Sequence, residues 1–104
     1  MARRAVKWTR TADIQFVGIL EYWAKRNKSK AYSKKLIHLV QEISGLIAET
    51  PFLFPESGFK NTRFVALGNF SLFYQVREKE IIVTAFWDNR QDPKKLLKIL
   101  KKSL

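Results

Sequence analysis

Residues 63–93 constrain the fold of this chain more than any other part of it. Phe70, Leu72, Tyr74 and Val76 alternate with Ser71, Phe73, Gln75 and Arg77, so two faces of a strand can be read at a period of two. Gly68-Asn69 precedes that run and Glu78-Lys79 follows it, and both are natural turns. With the apolar run that begins at Ile81, the pattern predicts a three-stranded antiparallel meander carrying arginines at its strand ends. Asp92-Pro93 then stops the sheet: the aspartate suits a helix cap, and a proline in the first turn gives up no donor that a helix would use. Residues 93–104 read as a basic amphipathic helix, with Leu96, Leu97, Leu100 and Leu104 as its stripe among Lys94, Lys95, Lys98, Lys101 and Lys102.

The first half of the chain has a different period. Val6 and Trp8 around Lys7 suit a short N-terminal strand, after which Thr9 or Thr11 offers a capping hydroxyl and Asp13 favours the positive end of a helix. Phe16, Val17, Leu20, Trp23 and Ala24 recur at helical spacing, with Ile19 and Tyr22 widening the stripe, which predicts a helix over residues 11–27. Leu36, Leu39, Val40, Ile43, Leu46 and Ile47 mark a second helix ended by Thr50-Pro51. The short link between them makes the two an antiparallel hairpin. Residues 51–61, with their prolines and phenylalanines, read as a loop pinned to the body by Phe52, Phe54 and Phe59. The expected architecture is a single α+β domain spanning residues 1–104: a small antiparallel sheet (N-terminal strand plus three-stranded meander) packed against a helical hairpin, with a basic C-terminal helix.

Composition narrows the partners. Twenty Lys+Arg against nine Asp+Glu give a net charge of +11 on 104 residues, an excess that draws polyanions: nucleic acid, the ribosome, an anionic membrane or an acidic protein. An apolar content of 46% is that of a folded domain. With no cysteine and one histidine, His38, neither a disulfide framework nor a zinc cluster is expected, and no cofactor is implied. Residues 2–10 are broken by charges, no apolar run approaches a membrane span, and a cytoplasmic protein is expected.

Chemistry would have to come from cations and carboxylates, because His38 lies on a helix and no phosphate loop or nucleophile-and-base arrangement can be read. Cutting RNA without a metal needs a base, an acid and cations for the charged phosphorane. Arg63, Arg77 and Arg90 at the sheet and Lys60 in the loop are the candidate cations, and Asp88 or Glu56 the candidate carboxylates. Asp88 has a plainer role open to it, capping the turn with Asn89. Lys25, Arg26 and Lys28, together with Lys30, Lys34 and Lys35, form an acid-free cluster where the helices meet, and it reads either as a solvated hairpin end or as a dock for backbone phosphates.

Trp8-Thr9 with Ala12, Arg63 ahead of Gly68-Asn69-Phe70, the Phe73-Tyr74 pair and the run from Trp87 to Pro93 together resemble the RelE/ParE family of bacterial toxins, over residues 6–97. The resemblance implies a growth-inhibiting toxin of a type II toxin–antitoxin module, neutralised by a cognate acidic antitoxin that wraps it. One branch of the family cleaves mRNA on the ribosome and another poisons DNA gyrase. Arg63 matches the family's arginine on the first meander strand, and Arg90 the one after the last. In the nuclease branch, a metal-independent, ribosome-dependent endoribonuclease, a further basic residue follows the second-strand aromatic. Here that position is Ser71, Asp88 stands where a histidine or tyrosine is common, and both departures favour gyrase. The resulting expectation is Arg63, Arg90 and Asp88 for any catalysis and Lys60, Arg77, Lys25, Arg26, Lys28, Lys94 and Lys95 for target binding. Leu96, Leu97 and Leu100 are expected to bind the antitoxin. From a different class, a plain nucleic-acid-binding or regulatory module stays open.

Overall fold

The computed structural model describes residues 3–102. Strand β1 (Ala5–Trp8) leads into helices α1 (Arg10–Asn27) and α2 (Ala31–Glu49), and β2 (Arg63–Leu67), β3 (Phe70–Val76) and β4 (Glu80–Asp88) form the meander before α3 (Pro93–Lys102). Of the apolar stripe expected on α3, Leu104 lies outside the described residues.

Thr9 caps α1: its Oγ1 accepts from the Ala12 amide at 3.1 Å, and its own amide donates to Val83 O at 3.0 Å, so one residue ends β1 and starts the helix. Lys28 ends α1 in the left-handed region at φ 50, after which α2 turns back. The buried Ser33 hydroxyl ties the hairpin together by donating to Leu20 O at 2.7 Å. Leu36, Val40 and Ile47 are buried and Ile43 packs on the core, whereas Leu39 and Leu46, which share the sequence periodicity, stand half-exposed on the flank of α2. Thr50 closes the helix with its hydroxyl and amide both on Leu46 O.

The sheet order is β1-β4-β3-β2, and it is mixed: β1 runs parallel to β4, correcting the expectation of an antiparallel sheet throughout. The cause lies in the hairpin. Two helices, one up and one down, return the chain to the end where β1 began, where the Arg4 amide donates to Ala48 O at 3.1 Å. Strand β2 must therefore set out in β1's direction, and a meander of three strands leaves β4 in that direction too. Between β2 and β3 only Gly68 and Asn69 intervene, and Gly68 takes φ 67, the positive value that a tight right-twisted hairpin needs at its first turn position.

Strand β3 is buried on both faces, because helices cover both. Phe70, Leu72 and Tyr74 meet the hairpin side, with Ile81, Val83 and Phe86 of β4. Phe73, Ala85 and Trp87 meet Leu100 of α3 on the opposite face, with Phe64, Leu96 and Ile99 around them. A bulge lets β4 serve both sides. Phe73 pairs with Ala85 but Tyr74 pairs with Val83, leaving Thr84 as the extra residue. Without it Val83 and Ala85 would point the same way.

Beyond Val83, β1 no longer covers the edge of β4, and α1 takes over: Gln15 Oε1 accepts from the Phe86 amide at 2.9 Å. Gln15→Ala is expected to cost about 1–3 kcal/mol, the penalty for stranding a buried backbone donor. Chemical denaturation of the two proteins measures it, and a difference near zero would show that water reaches the amide.

Candidate functional site

The cations expected to act together are divided between opposite ends of the sheet. Arg63 opens β2 opposite Tyr74, while Asp88 closes β4 opposite Phe70. Four residue steps along β3 and two strand spacings across place those backbones roughly 16 Å apart. Their side chains also diverge. Arg63 donates to Phe54 O at 2.7 Å, whereas the Arg90 guanidinium lies over the Trp23 ring at 5.4 Å. Arg63 and Arg90 therefore do not share a phosphate in this arrangement.

At the Arg90 end, the Asp88–Asn89 turn builds a closed pair. Asp88 Oδ1 accepts from the Arg90 amide and from its Nε, both at 3.0 Å, and Oδ2 accepts from a terminal guanidinium nitrogen at 2.7 Å. The hydrogen bonds from Arg90 hold the Asp88 carboxyl below its usual range, against the opposing push of partial burial. Asp88 is thus an ionised, fully engaged carboxylate near neutral pH and a poor proton donor. Its lowered value contributes stability that is complete above the ordinary carboxyl range and lost as pH falls through that range toward the lowered value. Asp88→Asn should flatten that acid limb of a stability–pH profile, and an unchanged limb would mean the pair is not maintained in solution.

The same end gathers other basic residues. Trp23, under Arg90, lies on α1 just ahead of Lys25, Arg26 and Lys28, and Lys94 and Lys95 follow Arg90 into α3. Asp92 caps that helix, its Oδ1 accepting from the Lys94 amide at 3.0 Å. Ser71 is buried and donates to Asn89 Oδ1 at 2.9 Å. Tyr74 is equally committed: its hydroxyl donates to Pro51 O at 2.8 Å inside the core, and burial pushes its pKa up.

At the Arg63 end a cleft of about 950 Å³ opens between the 51–62 loop and the last residues of β3. Lys60, Arg63 and Arg77 line it, with Glu56 as its carboxylate, 3.6 Å from Arg63. Phe54 and Phe59 anchor the loop as the sequence suggests, but Phe52 does not: the residue is 61% exposed, with the guanidinium of Arg63 at 5.0 Å and that of Arg4 at 5.9 Å from its ring centre. Pro51 is buried, but the next two residues, Phe52 and Leu53, are both exposed, in a turn that the Leu53 amide closes on Thr50 O at 3.1 Å. Arg4 and Phe52 are the residues that sequence reading missed here, since an isolated phenylalanine in a loop carries no sign of which way it points.

Of the α3 leucines among the described residues, Leu100 is buried and Leu96 packs beside it, whereas Leu97 keeps an open surface, 47% exposed. The helix is part of the domain's second core and not a separable tail. His38 is exposed on α2. No helix among the described residues is long and apolar enough to cross a membrane.

The site thus stands on a four-stranded sheet with a helical hairpin on one face, a basic helix on the other and cations at both ends. The sequence matches the family described as the ParE toxin of the type II toxin–antitoxin system, parDE, over residues 6–93, and the chain belongs to that family. The fold is similar to that of a chain in the solved structure of the chromosomal ParDE TA system from P. aeruginosa, with a TM-score of 0.65 at 19% identity, covering 83% of this chain and 96% of that one. No curated protein sequence matches it.

Proposed function

We propose that this chain is a growth-inhibiting cytoplasmic toxin, neutralised by an acidic antitoxin, and that its target is DNA gyrase and not ribosome-bound mRNA. The observation that carries the choice of target is the state of the meander face beneath α3. Phe73, Trp87 and Leu100 fill it, and Ser71 beside them is buried and hydrogen-bonded, so that face offers no acid–base pair to a scissile phosphate. Asp88 is held by Arg90, and Arg63 lies at the far end of the sheet. A poison that acts by binding needs none of these groups free. It needs surface and charge, which +11 supplies.

For the antitoxin the chemistry follows from what is left open. Leu97 among the α3 lysines asks for a segment with both acidic and apolar side chains, folding as it binds.

Expression of the chain alone in a bacterial host is expected to arrest growth, and the purified protein to stop gyrase supercoiling while leaving ribosome-bound message uncut. Cut message with active gyrase would reverse the target. Unimpeded growth with confirmed folded protein would remove the toxin reading and leave a nucleic-acid-binding module in its place.

A further inference from the structure

We propose that the cleft at the start of β2 binds a single-stranded nucleic-acid segment, with its backbone phosphates on Lys60, Arg63 and Arg77 and a base stacked at Phe52. The proposal deepens the toxin reading by naming what one surface contacts, but it is measured on the purified chain without a growth assay, so either can fail alone.

Charge is the first argument. Lys60 and Arg77 make no ion pair with a carboxylate among the described residues, and Arg77 donates instead to Gln75 Oε1 at 3.1 Å. Glu56, the cleft's carboxylate, is 80% exposed at its side chain and reaches Arg63 at 3.6 Å. The cleft therefore holds a net positive field in a concavity whose volume, about 950 Å³, is of nucleotide size or larger. Arg63 is fixed by Phe54 O, which orders a cation that would otherwise lose freedom on binding.

Phe52 supplies the second argument. A large aromatic residue standing 61% exposed in the 51–62 loop is costly in water, and here two arginines flank its ring, Arg63 at 5.0 Å and Arg4 at 5.9 Å. An exposed aromatic beside guanidinium planes and a basic groove is the arrangement that takes successive unpaired bases, because every base has a π-face to offer. Bases within a duplex are stacked on one another and have no free face, so the preference should be for single strands. An acidic peptide would satisfy the cations but would have no flat group matched to this platform.

Titrating the purified chain against fluorescein-labelled oligo-dT, and against a duplex of equal length, across a salt series tests the assignment by anisotropy. Oligo-dT should bind more tightly than duplex. Phe52→Ala should weaken it by roughly five- to 150-fold, the range for removing one base–aromatic stack. Lys60→Gln and Arg77→Gln should each lower the slope of log affinity against log salt by about 0.7, one phosphate apiece. The charge-matched pair Lys98→Gln and Lys101→Gln, on α3, should lower it less. These positions are all exposed, and unchanged thermal midpoints would confirm that each variant folds. Duplex binding as tightly as single strand, a Phe52→Ala variant that binds normally, or an α3 pair as damaging as the cleft pair would each overturn the proposal. Equal competition by poly-glutamate would reassign the cleft to an acidic protein segment.

Discussion

Replacing Phe86 by alanine is expected to remove about 3–5 kcal/mol of folding stability, a large share of what a domain of this size possesses. Phe86 is 1% exposed, and its ring lies 4.8 Å from Phe16, 5.7 Å from Phe70 and 6.2 Å from Trp8. It therefore joins α1, β3 and β1 to β4 at one point. Truncation deletes the apolar packing of the ring and leaves a cavity that three elements border, none of which can move in without leaving the others. Phe52→Ala, the same chemical change at an exposed loop position, should stay within about 0.5 kcal/mol. Denaturant titration compares the two, and a Phe86→Ala loss below about 1 kcal/mol would mean that the ring cluster is not packed as described.

The second large effect separates two leucines three positions apart on α3. Leu100→Ala should cost about 2–5 kcal/mol, because Leu100 closes the core formed with Phe73, Ala85 and Trp87. Leu97→Ala should leave stability within about 0.5 kcal/mol and instead weaken antitoxin binding by about 1–2 kcal/mol, the worth of burying part of one apolar side chain against a partner. Denaturation and calorimetric titration with the antitoxin read the two quantities independently. If Leu97→Ala bound the antitoxin normally, the outer side of α3 would not be its seat.

Local pattern determined a good deal about this protein. Helical spacing placed α1 and α2, the Gly68-Asn69 and Glu78-Lys79 turns delimited the strands, and Asp92-Pro93 started α3, because each of these signals acts within a few residues of itself. The order of short motifs from Trp8 to Pro93 was enough to suggest the family that the chain matches. Periodicity on α2 could not say that Leu39 and Leu46 would miss the core, since the apolar stripe is wider than the surface available to cover it.

What only the tertiary structure decided depends on proximity between residues distant in the chain. The parallel pairing of β1 with β4 follows from where the helical hairpin delivers the chain, and alternation within a strand is blind to its neighbour's direction. The bulge at Thr84 sends Ala85 and Trp87 toward α3, turning a helix that reads as a basic surface element into the lid of a second core. Arg63 and Arg90 look equivalent in the sequence, both arginines at strand ends, yet an antiparallel register places them at opposite ends of the sheet, one beside an exposed phenylalanine and the other locked to Asp88. Residue type set the charge of each; three-dimensional distance set whether those charges could cooperate, because a phosphate is only a few ångströms across and two cations act on it together only when the fold brings both within reach.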